Sequence, residues 1–154
     1  MSAFPDRLEI PEALWQAMLA HLSACLPEEG CGLLGGQVSG QKAVALRLLA
    51  VENELHSPVR FRVAPLDLLA ALNALDKDGL ELLAVFHSHP GGPERPSPTD
   101  SAEFAYPGVL SLIAAPGPGG WGVRAFAIDG VLDARAPVRE VALRRVSAAN
   151  GPHP

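Results

Sequence analysis

Apolar positions along this chain switch between two periods, and the switches mark out an α/β order. Over residues 11–26, Leu14, Met18, His21, Leu22 and Cys25 recur at helical spacing. Pro11 suits a first helical position and Pro27 stops the run. Two strand-like stretches follow, 31–38 and 42–51, with Ser39-Gly40 between them as a hairpin turn. Ser57-Pro58 and then Phe61 to Val63 read as a short strand or an extended loop. Leu68, Leu69, Leu72 and Leu75 place an apolar stripe on residues 65–76, a second helix ended near Gly79. Residues 80–89 are apolar on both alternating faces, as expected of a central strand covered on each side. A loop rich in Pro and Gly, 90–96, leads to Ser97-Pro98-Thr99-Asp100, which opens a short helix. Residues 109–115, 121–128 and 138–145 are further strands, the first two joined by a turn at Gly117 to Gly120. No repeat or linker divides the chain. The prediction is one α/β domain over 1–154, with its core at about residues 8–146, a mixed sheet, and a frayed tail at 150–154.

Composition narrows the function classes. Hydrophobic residues make up 48% and charged residues 19%, which fits a compact globule rather than a disordered chain. No apolar run approaches the roughly 20 residues of a membrane span, and Met1 to Asp6 lacks the pattern of a secretory signal, so a cytoplasmic protein without a membrane partner is expected. A net charge of −5 argues against nucleic acid. Arg135, Arg139, Arg144 and Arg145 thicken the C-terminal region and read as solvated strand faces. Cys25 and Cys31 are too few for a disulfide framework and do not form CxxC pairs, so free thiols are expected.

The candidate chemistry sits at the end of the central strand. His21 lies on the first helix, His56 in a loop and His153 in the tail, whereas His87 and His89 stand one residue apart. In a strand, i and i+2 share a face, so both imidazoles project together and suit Zn²⁺. Alone, the pair also describes two surface histidines beside a loop. Asp100 can add a carboxylate oxygen, and two His with one carboxylate leave a fourth tetrahedral position for water, the arrangement of a catalytic zinc site. Ser97-Pro98-Thr99-Asp100 is equally a good helix start, with Ser97 as N-cap, and the two readings are compatible. Upstream, Glu28 and Glu29 precede the first strand-like run; Glu28 reads as part of a polar loop.

Taken together, Glu29-Gly30-Cys31-Gly32, His87-Ser88-His89-Pro90 and Ser97-Pro98-Thr99-Asp100 resemble the signature of the JAMM (MPN+) zinc metalloproteases: an upstream Glu, HxH, seven residues, Ser, two residues, Asp. The seven residues here are Pro90 to Pro96. The resemblance runs from about Pro11 to Ile128, including the first helix and the Ser57-Pro58 and Phe61 region. It implies a curved mixed sheet flanked by helices, similar to the cytidine deaminase fold, with one zinc per chain held by His87, His89 and Asp100. It further implies Glu29 as general base and Ser97 as hydrogen-bond donor to the developing oxyanion. Deamination itself is excluded, because the HxE and PCxxC ligands are missing. Cys31 packs under the site in this reading, and Glu94 and Arg95 sit in water.

Members of that family cleave amide bonds after the C-terminal Gly-Gly of ubiquitin-like proteins. This compact chain looks like the stand-alone prokaryotic kind, which act on small β-grasp sulfur carriers released from a conjugate or fusion. The expected partner is such a carrier, its extended tail lying along a strand edge beside the metal. Two rivals differ in class. A catalytically silent MPN scaffold lacks metal ligands, and none is missing here. A DNA-associated relative of the RadC kind carries HNHP in place of His87-Ser88-His89-Pro90, and the acidic balance disfavours it.

Overall fold

The computed structural model describes residues 4–97, 107–128 and 138–147. The elements run β1 (Arg7–Pro11), α1 (Glu12–Cys25), β2 (Cys31–Ser39), β3 (Lys42–Val51), α2 (Pro65–Lys77), β4 (Glu81–Ser88), β5 (Leu110–Ala115), β6 (Gly122–Ile128) and β7 (Val138–Val146). Most expected elements fall within a residue or so of these bounds. The short helix expected to open at Ser97 lies beyond the described residues. The 61–63 stretch is loop, tied down by a single antiparallel bridge between Asn53 and Val63.

Strand β1 was not expected. Its five residues alternate, burying Leu8 and Ile10, and its pairings decide the architecture. It runs parallel to β3 on one side and parallel to β7 on the other, so the strand order β1-β3-β2-β4-β5-β6-β7 closes on itself. The sheet is mixed, as expected, but it forms a closed ring. No described helix is long and apolar enough to cross a membrane.

The two helices serve different cores. From α1, Trp15, Met18 and Leu22 recur at i, i+3 and i+7 and pack with Leu8, Ile10, Leu34, Phe86 and Leu112. Each such buried side chain is worth roughly 1.5–3 kcal/mol. Pro27 ends α1 by holding Leu26 extended, at φ −51° and ψ 140°. A second cluster gathers Leu33, Val85, Ile113 and Phe126, alternate residues of four neighbouring strands, under Ala71 of α2. Gly35 lets α2 settle, since a Cβ there would collide with Leu75. The stripe expected on α2 is therefore rotated: Ala71 and Leu75 are buried, whereas Leu69 is 54% exposed and Leu66 78%. Leu68 and Leu75 of the expected stripe do face the core whereas Leu69 and Leu72 do not, so leucine periodicity marks the buried face only in part.

Strand β4 is central. It is antiparallel to β2 and parallel to β5, so His87 lies between Cys31 and Ile113. Because β2 starts at the end where β4 finishes, whatever precedes β2 is delivered beside the histidines.

Candidate metal centre

Glu29 is the residue so delivered. It sits in the turn between Pro27 and β2, and its backbone is pinned on several sides. Its N–H donates to the Ser57 carbonyl at 2.8 Å, and its own carbonyl accepts from Asn53 Nδ2 at 3.0 Å. The next residue, Gly30, donates its N–H to Ser88 Oγ at 2.8 Å and accepts the Ser88 N–H at 3.0 Å. Ser88 is buried, and lying between the two histidines it faces away from them. The middle residue of His-Ser-His thus holds the residue next to Glu29.

The side chains converge. Ligating atoms of Glu29, His87 and His89 all lie within 4.8 Å of one another, and all three residues are buried. The two Nε2 atoms are 3.1 Å apart. Two ligands bound at about 2.0–2.1 Å to a tetrahedral ion stand roughly 3.3 Å apart, so the imidazoles are already spaced for one. His89 Nδ1 lies 2.8 Å from the Pro93 carbonyl. A carbonyl only accepts, so Nδ1 carries the proton, which leaves Nε2 as the nitrogen whose lone pair can be turned inward to a metal. The Phe61 ring stacks on His87 at 4.3 Å between centroids and 21° between planes. The Glu29 carboxylate is close enough to meet an ion seated between the imidazoles directly or across one water. By its chemistry, this donor set can hold a divalent metal.

Of the five residues expected at the site, three are thus brought together. Ser97 is described and half-buried at the end of the 90–97 loop. Asp100 lies outside the described residues. Cys31 is the register partner of His87 but takes no place in the cluster. Burial, first, and then the charges of Cys25 and Glu29 push its thiol up to about 12, so it stays neutral. Both cysteines are free.

Several neighbours were not legible as part of the site. Asn53, Ser88 and the Pro93 carbonyl carry no motif. His21 gave only its position on the α1 stripe; its Nε2 donates to the Cys31 carbonyl at 2.8 Å and ties α1 to the start of β2. Glu94 is not simply in water: it packs over Gly122, whose lack of a side chain makes the space, and it adds its charge to the Glu140 hydrogen bond that chiefly holds Arg124 above the usual guanidinium range. Two of the exposed arginines of β7 are engaged. Arg145 pairs with Glu12 and lies 4.9 Å over the Trp15 ring, and Arg139 approaches Asp6 at 3.8 Å.

Fold and cluster together define an α/β domain with a buried His-His-carboxylate cluster able to hold a metal ion. Sequence comparison makes the identification specific. The profile of the Prok-JAB family, prokaryotic homologs of the JAB domain, matches residues 11–129. A probable TtuB-protein conjugate cleaving protease of Thermus thermophilus is 40% identical over 122 residues, covering 77% of this chain and 74% of that one. A desampylase of Pyrococcus furiosus is 34% identical over 93 residues, 60% of this chain and 63% of its own length. Among solved structures, that of protein DSY2949 from Desulfitobacterium hafniense superposes with a TM-score of 0.78 at 30% identity, covering 96% of this chain and 99% of that one. The chain belongs to the Prok-JAB family, in agreement with the JAMM resemblance carried by its motifs.

Proposed function

We propose that this protein is a zinc-dependent isopeptidase that hydrolyses the amide bond after the C-terminal Gly-Gly of a ubiquitin-like, sulfur-carrier type protein. The observation that carries the reading is the convergence of Glu29, His87 and His89 in one buried cluster. The names of the relatives, a conjugate-cleaving protease and a desampylase, point the same way.

In this reading His87, His89 and Asp100 hold the zinc. Bound zinc supplies Lewis acidity, polarising the scissile carbonyl and bringing the pKa of a water to about 7. Glu29 accepts the proton of the attacking water and passes it to the departing amine. Burial among pinned backbone keeps that carboxylate aimed at the reacting atoms. Ser97 donates to the carbonyl oxygen as charge develops on it, an interaction worth roughly 10²–10³ in rate in comparable sites. The Pro93 carbonyl keeps His89 in the ligating tautomer, and the Phe61 ring covers one face of His87.

Each of the seven strands has a neighbour on both sides, so a tail finds a free strand edge only where a pairing stops short, as on β3 beyond Val44. Main chain that flanks the histidines also comes from the loop around Ser57 to Phe61 and from the 90–97 loop. A tail threaded between them leaves little space for side chains, which is the physical sense of two glycines at the junction. A reducing cytoplasm suits the two free thiols.

The test is cleavage of a β-grasp carrier fused through Gly-Gly to a reporter, beside the same fusion with Ala-Ala. Hydrolysis of the first alone, abolished by a chelator and restored by zinc, is the expected result. Equal cleavage of both, or of neither, overturns the assignment.

A further inference from the structure

Asn53 is a buried polar residue for which the reaction above has no use, and its whole hydrogen-bonding capacity is spent beside the cluster. It lies just past β3. Its Nδ2 donates to the Glu29 carbonyl at 3.0 Å and to the Arg60 carbonyl at 2.9 Å. Its Oδ1 accepts the N–H groups of Leu55 and Arg62, each at 3.1 Å. Two donors and two acceptor sites are all an amide offers, so all four are used. The orientation is unambiguous: a flipped amide would set its NH₂ against two N–H groups and its oxygen against two carbonyls.

Its four partners lie on both limbs of one loop and on a third segment. The loop closes through the Asn53–Val63 bridge, the Glu54 N–H to the Arg62 carbonyl at 3.0 Å, and the His56 N–H to the Asn53 carbonyl at 3.1 Å. Arg60 and Arg62, both held by the Asn53 amide, flank Phe61, whose ring stacks on His87. Glu29 is held twice by the same loop, through the Ser57 carbonyl and through Asn53. One side chain therefore joins the backbone of the acid–base residue to the ring that walls a histidine.

We propose that Asn53 is a positioning residue for this site: it locks the 53–63 loop to Glu29, so that the Glu29 carboxylate and the Phe61-covered face of His87 are held in fixed register. It touches no reacting atom and acts through Glu29 and Phe61. The proposal rests on the isopeptidase reading only for its effect on turnover; its structural content stands apart from any substrate.

Two readouts separate these parts. The first is NMR on the full chain. The ring current of Phe61 shifts the His87 ring protons, and Asn53→Ala should return them toward ordinary values while speeding exchange of the Glu29 amide by about tenfold or more. Strand amides of β4 and β5 should keep their protection. Asn53→Asp, which retains the acceptor but loses both donors, should give the same two changes with the Leu55 amide still protected. Should both variants fail to fold, the wild-type Asn53 side-chain amide protons decide, since they should exchange at least about tenfold more slowly than those of exposed Gln37. Unchanged His87 shifts and Glu29 exchange in a folded variant, or fast exchange of the Asn53 amide, would overturn the proposal.

The second readout is cleavage of the Gly-Gly fusion. A displaced base costs kcat, so Asn53→Ala should lower kcat by roughly 10²-fold with KM within about threefold. A rise in KM at unchanged kcat would show that Asn53 shapes only the binding surface and would overturn the positioning role. A wild type that cleaves nothing sinks the isopeptidase reading, and the NMR comparison still rules on Asn53.

Discussion

Replacing Ser88 with alanine isolates one hydrogen bond on which the Glu29 geometry rests. Ser88 Oγ accepts the Gly30 N–H at 2.8 Å in a buried setting. Alanine occupies almost the same space, so no cavity opens, and the change is the loss of an acceptor. A buried amide N–H left without one costs about 1–3 kcal/mol. The reverse bond, from the Ser88 N–H to the Gly30 carbonyl at 3.0 Å, survives and keeps β2 paired with β4. A loss of about 2 kcal/mol is therefore expected. For a domain of this size that lowers Tm by about 4–8 °C. The comparison variant is Ser23→Ala, which removes an exposed hydroxyl that accepts the Trp121 Nε1–H at 3.0 Å and where water can replace it; it should cost no more than about 0.5 kcal/mol. Thermal melts of both variants, with amide exchange at Gly30, check the ordering. Turnover should fall in Ser88→Ala as well, because Gly30 adjoins Glu29, the base we propose. A Ser88→Ala protein melting within about 1 °C of wild type, its Gly30 amide still protected, would refute the claim that this bond fixes the turn.

Other outcomes follow from the same geometry. Glu29→Gln keeps shape and burial but removes the proton acceptor, so turnover should fall by roughly 10²–10⁴ with zinc content and Tm retained; unimpaired hydrolysis would move the base elsewhere. Emission spectroscopy should find about one zinc per chain. Stripping it should end cleavage and lower Tm, since a ligand at 100 times its Kd adds about 2.7 kcal/mol, and a chelated protein that melts unchanged would speak for a silent scaffold. Cys31 gives a pH dependence of known sign. Its folded pKa, about 12, lies above the unfolded thiol value of 9.0, so its contribution is complete below the unfolded value and is lost as pH rises from there toward 12. Between these limits wild type should lose up to about 1.4 kcal/mol per pH unit more than Cys31→Ala, and parallel stability curves for the two proteins would show that the thiol is not insulated.

What the chain reveals before folding divides by physical cause. His87 and His89 are legible because ligand type and spacing are chemical requirements that show in one dimension, whereas Glu29 is legible only through the family resemblance; the structure gathers these three. The runs that became β2, β3 and β4 are legible because each is an apolar-rich stretch of eight or more residues set off by turn residues. Strand β1 offers only the alternation of Leu8 and Ile10, too short to register, and ring closure depends on it. The buried face of α2 is legible only in part, because the exposed Leu66, Leu69 and Leu72 blur a stripe that Leu68 and Leu75 mark correctly. Groups that act through the main chain leave no trace at all: the Pro93 carbonyl sets the His89 tautomer whatever residue bears it, and Asn53 is one polar residue after an apolar run until its four partners are in place.

The convergence of Glu29 with the histidines is a matter of register rather than of side-chain reach. Cys31 opposes His87 across the antiparallel β2–β4 pair, and Gly30 exchanges two hydrogen bonds with Ser88. A slip of two residues would preserve the pleat's alternation of side-chain direction in β2. It would also carry Glu29 roughly 6.8 Å along the strand, beyond the 4.8 Å within which the three ligating groups now meet. Hydrophobic alternation alone therefore does not choose the functional register. The glycines of β2 help, since a side chain at Gly32, Gly35 or Gly36 would collide with Phe86, Leu75 or the Val44 carbonyl, and so do buried polar contacts, among them Ser88 Oγ with the Gly30 N–H, His21 with the Cys31 carbonyl and Asn53 Nδ2 with the Glu29 carbonyl. On this argument the buried polar groups around the site contribute less by their net energy than by excluding alternatives. A Ser88→Ala, Asn53→Ala double variant should then populate strand pairings that neither single variant shows, visible as doubled β2 amide resonances; a single set of resonances would mean that the β2–β4 core packing selects the register unaided.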